Sequence, residues 1–93
     1  IYIRRKSTGM IYTIKVNGEE YKTVNKSHAV NLYVKETLKS CNTIEEVEEA
    51  KENLKANCEN ILVDIGMGKS NKSYFIRVVN ERVKHRIIML NTK

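Results

Sequence analysis

The run Met10 to Val24, MIYTIKVNGEEYKTV, constrains the fold of this chain more than any other stretch. Met10, Tyr12, Ile14 and Val16 recur at every second position, Asn17-Gly18 follows, and a second alternating run starts at Glu19. Asn-Gly suits a type I′ turn, because both central residues need φ > 0 and the turn's twist then matches that of the strands. A two-residue loop fixes the register. Val16 should face Glu19, Ile14 face Tyr21 and Tyr12 face Thr23 on one side, with Lys15 against Glu20 and Ile11 against Val24 on the other.

Around this hairpin the chain divides into two extended ends and a helical middle. Ile1-Tyr2-Ile3-Arg4-Arg5-Lys6 alternates as a first strand before the Ser7-Thr8-Gly9 turn. Met10 has the character of a start residue, which would make residues 1–9 an expression-derived or upstream segment. Ser27 is placed to cap a helix from His28 to about Ser40, whose Ala29, Val30, Tyr33, Val34, Thr37, Leu38 and Cys41 form one apolar stripe. Thr43-Ile44-Glu45-Glu46 is a capping box opening a second helix, with Ile44, Val47, Ala50, Leu54 and Cys58 inward. Beyond Asn60, the runs Ile61–Ile65, Ser73–Val79 and Val83–Leu90 are β-branched and apolar and are expected to be strands. Tyr12 to Lys22 also aligns with Tyr74 to Lys84, which suggests a second hairpin turning at Asn80-Glu81. The expectation is one α+β domain over residues 1–93, β-β-β-α-α-β-β-β, with antiparallel hairpins packed on two central helices. Ninety-three residues support one core of this size, not two.

Charge is segregated along the chain. The formal net charge is +6, made of +4 over residues 1–26, −3 over 27–59 and +5 over 60–93. A one-sided positive field steers a protein toward polyanions, and phosphate neutralisation supplies most non-specific affinity. In the expected second hairpin Arg77 faces Lys84, with Phe75 and Arg86 next along the same face. Like charges directly opposite are destabilising unless an anion sits between them.

Other motifs carry less. Gly66-Met67-Gly68-Lys69-Ser70 looks like the tail of a phosphate-binding loop, but the motif needs glycine at Val63 and a helix directly after the serine, whereas Ser73 reads as the start of a strand. Lys69 and Lys72 remain able to touch phosphate. His28 and His85 have no ligand-spaced partner, Cys41 and Cys58 read as reduced helix residues, and the Glu cluster of the second helix reads as a solvated face. No metal, cofactor or catalytic set is expected. Without an apolar run near the ~18 residues that span a bilayer, the expectation is a cytoplasmic protein without membrane contact.

Residues 1–40, with Arg4-Arg5-Lys6, Met10 to Val16, Asn17-Gly18, Glu20-Tyr21-Lys22 and Lys26-Ser27-His28-Ala29, resemble the arm-type DNA-binding domain of phage and transposon integrases, itself similar to the AP2 type. In that family a three-stranded sheet enters the major groove with a helix behind it. The resemblance implies Arg4, Lys6, Thr13, Lys15 and Lys22 as groove-facing residues. Val24-Asn25 and His28 depart from the family pattern, and residues 60–93 fall outside it. The functional expectation is a basic, non-enzymatic accessory protein of a phage or mobile element that binds nucleic acid, duplex DNA first, through Arg4, Lys6, Lys15, Lys22, Lys69, Lys72, Phe75, Arg77, Lys84 and Arg86. The alternative is an inhibitor of a host or rival nucleoprotein enzyme, of the anti-restriction or anti-CRISPR type, presenting Glu45, Glu48, Glu49 and Glu52. Oligomeric state, including a homodimer, is left open.

Overall fold

The computed structural model describes residues 11–92. The expected strand Ile1–Lys6, with Arg4 and Lys6, lies outside the described residues. Strands β1 (Tyr12–Val16) and β2 (Glu19–Thr23) pair antiparallel from Tyr12↔Thr23 to Val16↔Glu19, in the expected register. Asn17 and Gly18 take φ of 53° and 81°, as a type I′ turn requires. Ile14 is fully buried, and Tyr12, Val16 and Tyr21 pack against the core beside it.

Helix α1 spans Lys26–Lys39. Its cap is Asn25, not Ser27: the Asn25 side chain accepts from the His28 N–H at 2.9 Å, and Ser27 sits in the first turn. Asn25 wins because its backbone is extended while the chain leaves β2, and Thr23 Oγ1 accepts the Asn25 N–H at 3.1 Å. Helix α2 spans Ile44–Ala56 and carries the complete capping box, with Glu46 N–H on Thr43 Oγ1 at 3.1 Å and Thr43 N–H on Glu46 Oε1 at 3.2 Å. Its Val47 and Leu54 are buried, whereas Ile44, expected inward, is 38% exposed.

The C-terminal third overturns the three-plus-three strand arrangement. Among the described residues the only sheet is the β1–β2 hairpin, and the expected strands are helices: α3 over Cys58–Ile65 and α4 over Lys72–Asn91, joined by a 3-10 turn at Lys69–Asn71. Cys58, Leu62 and Ile65 bury one face of α3. A Schellman motif ends it, with Gly66 at φ 105°, its N–H reaching Val63 O at 3.0 Å, and Met67 N–H reaching Leu62 O at 2.8 Å. In α4, Phe75, Val78, Val79 and Val83 recur at helical spacing and are buried. Phe75, expected on an exposed face, has no exposure at all. Arg77 and Lys84, expected opposite one another across two strands, lie two turns apart on one helix, and the apparent repeat of Tyr12–Lys22 is not structural.

The layers follow from these stripes. α4 packs on both α1 and α2, and the hairpin lies on α1 with β1 also against α3. Helix α4 runs in the same direction as α1, since Tyr74 reaches Asn31 near the start of α1 and Arg86 reaches the carbonyls of Lys39 and Cys41 at its end.

Candidate nucleic-acid interface

A cluster of basic side chains lies where α4 runs beside α1. Arg82, His85, Arg86 and Met89 stand at i, i+3, i+4 and i+7, which puts them on one face of α4. Lys35 and Lys39, four residues apart, lie along the facing side of α1. With Leu38 these side chains line a groove of ≈ 390 Å³, and no carboxylate is among its lining residues.

Two arginines in the groove are held in place. Arg82 donates from Nε and Nη2 to Asn31 Oδ1 at 3.2 and 3.1 Å. Asn31 Nδ2 in turn donates to Ser27 O at 2.9 Å and to the Tyr74 hydroxyl at 3.4 Å, while Arg77 sits 5.5 Å over the Tyr74 ring. Arg86 Nη2 donates to Cys41 O at 2.8 Å and more weakly to Lys39 O at 3.5 Å. A cation at those carbonyls complements the negative end of α1. Arg86 Nε is buried with no partner among the described residues. Burial pushes the Cys41 thiol above its ordinary value, Glu46 adds to the rise and Arg86 opposes it.

Of the residues expected at a nucleic-acid site, only Arg86 lines this groove. Lys15 and Lys22 sit on the hairpin face away from Ile14, where Lys22 pairs with Glu20 at 3.7 Å. Counted over both faces, Glu19 and Glu20 balance Lys15 and Lys22, so the hairpin residues carry no net charge. Lys69 is exposed on the 3-10 turn, and Lys72 pairs with Glu59 at 3.6 Å. A helix does open right after Gly66–Asn71, at Lys72 and not a strand at Ser73, yet Val63 still stands where the phosphate-loop motif needs glycine. Arg77 and Lys84 are exposed on α4, Lys84 beside Glu48 and Lys51 in a second groove toward α2. Phe75 is buried and cannot reach a ligand. Glu45, Glu48, Glu49 and Glu52 are exposed on α2, with no salt bridge among the described residues.

Lys35, Lys39, Arg82 and His85 were the missed members. Lys35 and Lys39 stand at i, i+4 on a helix the sequence already indicates, whereas the basic i, i+3, i+4 spacing of Arg82-His85-Arg86 is legible only once residues 72–91 are read as a helix. Among the described residues no group of three or more His, Cys, Asp or Glu could hold a metal, and no helix is long and apolar enough to cross a membrane. No known protein family, curated protein or solved structure matches the chain.

Proposed function

We propose that the protein is a non-enzymatic nucleic-acid-binding accessory protein of the kind phages and mobile elements encode, and that the α1–α4 groove is its phosphate contact. The observation that carries this reading is convergence: Lys35, Lys39, Arg82, His85 and Arg86 line one cleft without a carboxylate. Arg82 and Arg86 are already fixed by Asn31 and by the end of α1, so little side-chain entropy is lost when a phosphate arrives. Five of the eleven acidic residues are on α2, where Glu45, Glu48, Glu49 and Glu52 face solvent.

Binding of labelled oligonucleotides across a salt series tests the reading. Affinity should fall steeply between ~50 and ~200 mM salt, with a log–log slope near −0.9 per duplex phosphate neutralised, or −0.7 for a single strand. The Lys35→Glu/Lys39→Glu variant should bind at least ~10-fold more weakly and show a shallower slope. Absence of binding at low salt overturns the proposal. The inhibitor reading is favoured instead if the wild type captures a nucleoprotein enzyme and a variant neutralised at Glu45, Glu48, Glu49 and Glu52 does not.

A further inference from the structure

We infer that the α1–α4 groove takes single-stranded nucleic acid, with one unstacked base against Met89 and Leu38 and the adjoining phosphates on Lys35, Lys39, Arg82 and Arg86. This rests on the nucleic-acid reading of the groove and names the form of nucleic acid it holds. Three observations favour a single strand over a duplex.

The cations are in a cleft, not on a ridge. Duplex recognition puts a helix or a two-stranded ribbon into a major groove ~12 Å wide, with its basic groups projecting outward. Arg82 and Arg86 instead point across to α1, where Asn31 and the carbonyls of Lys39 and Cys41 hold them. The ribbon that this molecule does project, β1–β2, is neutral, and one of its two lysines is paired with Glu20. A furrow between two packed helices, whose axes stand ~8–10 Å apart, cannot admit a double helix.

The groove is also amphiphilic. Its exposed lining is mostly apolar despite five cationic or titratable side chains around it. Met89 is 47% exposed there, with buried Leu38 beneath. A phosphate gains nothing from that floor. A base does, because every base has an apolar face to lay against it while its phosphates meet the rim. A duplex keeps its bases stacked inside and offers none. The volume, ≈ 390 Å³, lies in the roughly 300–1,000 Å³ range of sites for small ligands, suited to a base with its neighbouring phosphates.

The third observation is charge complementarity along the strand direction. Lys35 and Lys39 are spaced by one turn on α1, ~6 Å along the axis, and Arg82 and Arg86 are spaced likewise on α4. Two cations on each wall, with Leu38 within their span and Met89 one turn beyond Arg86, match a strand lying in the furrow with its phosphates on the cations and an end base on Met89.

Fluorescence anisotropy with the full chain decides the point. Three labelled probes at ~50 mM salt suffice: a thymidine 12-mer, an abasic strand of the same length and charge, and a 12-base-pair duplex. The thymidine strand should bind at least ~10-fold more tightly than either of the others. Met89→Ser, which removes the apolar side chain without adding a charge beside Arg86, should lower binding of the thymidine strand toward that of the abasic strand. Residue 89 is half exposed, so the fold should be kept, and circular dichroism checks it. Equal binding of the thymidine and abasic strands, or tighter binding of the duplex, overturns the single-strand inference and leaves the nucleic-acid reading standing. No binding of any probe overturns both. Binding only to vesicles containing anionic lipid would also overturn both, and would assign the apolar floor to an acyl chain.

Discussion

Asn31 is the residue on which the groove's geometry turns. Its Oδ1 accepts both Arg82 contacts, and its Nδ2 donates to Ser27 O and Tyr74 Oη, so one amide ties α1 to two points of α4. Asn31→Leu keeps the volume and removes both polar functions. It should cost ~1–2 kcal/mol in urea denaturation, because a part-buried guanidinium loses its acceptor. Oligonucleotide affinity should fall as well, since Arg82 is then free to leave the groove wall. A stability loss with unchanged affinity would show that Arg82 does not contact the ligand. Cys41 reports on Arg86 in a similar way. Its thiol is raised by burial and by Glu46, with Arg86 opposing. A raised acid favours the folded state while it is protonated, so this contribution is complete below the ordinary value of 9.0 and is lost as pH climbs through the folded value. Cys41 should therefore alkylate more slowly at pH 8 than a free thiol, and stability should decline in alkali. Arg86→Met removes the opposing cation, so site-resolved alkylation of Cys41 should slow further at fixed pH. Faster alkylation in that variant would mean that Arg86 shields the thiol more than it polarises it.

At the scale of elements, legibility tracked how local the signal was. The hairpin register came from Asn17-Gly18 alone, and the start of α2 from Thr43 and Glu46, because turn and cap chemistry is complete within four or five residues. Residues 60–91 had no such marker for strands. Tyr74-Phe75-Ile76-Arg77-Val78-Val79 satisfies an alternating and a helical period equally, and its β-branched residues tip the reading toward strand. Two features oppose that reading: Asn80-Glu81 lacks the φ > 0 chemistry of a tight hairpin, and no Gly or Pro occurs between Lys69 and Lys93. Burial of Phe75, Val78, Val79 and Val83 against α1 and α2 decides the matter, and only the tertiary structure supplies those partners. The site was hidden by the same error, because Arg82, His85 and Arg86 share a face on a helix and not on a strand. Thr43→Ala should cost ~1 kcal/mol through loss of the capping box. Gly66→Ala should cost a similar ~1–2 kcal/mol, since φ of 105° strains any side chain there although Tyr12 Cδ1 is as far as 4.0 Å away. Both are read from urea midpoints, and a Gly66→Ala protein as stable as the wild type would mean that the helix end relaxes.

For the whole molecule, the controlling property is that net charge differs from helix to helix: α1 and α4 are net basic despite Glu36 and Glu81, and α2 is net acidic despite Lys51 and Lys55. Arg77, Arg82, Lys84 and Arg86 are on α4, Lys35 and Lys39 on α1, and Glu45, Glu48, Glu49 and Glu52 on α2, while only two ion pairs, Lys22–Glu20 in the hairpin and Lys72–Glu59 between the starts of α4 and α3, join acid to base among the described residues. Such an uneven distribution gives the molecule a dipole, which helps orient it toward a polyanion as it approaches. Replacing Glu45, Glu48, Glu49 and Glu52 by Gln removes four negative charges and raises the formal charge from +6 to +10. If α2 is the remote face, the variant should fold normally and bind oligonucleotides severalfold more tightly at ~50 mM salt, mainly through a faster on-rate. The difference should shrink severalfold by ~1 M, where the Debye length is ~3 Å and a face across the molecule no longer contributes. Direct contact of α2 with the ligand would give another pattern: a change in affinity that persists at high salt, because charges in contact are screened far less than charges across a protein. That persistence would move the binding surface from the α1–α4 groove to α2.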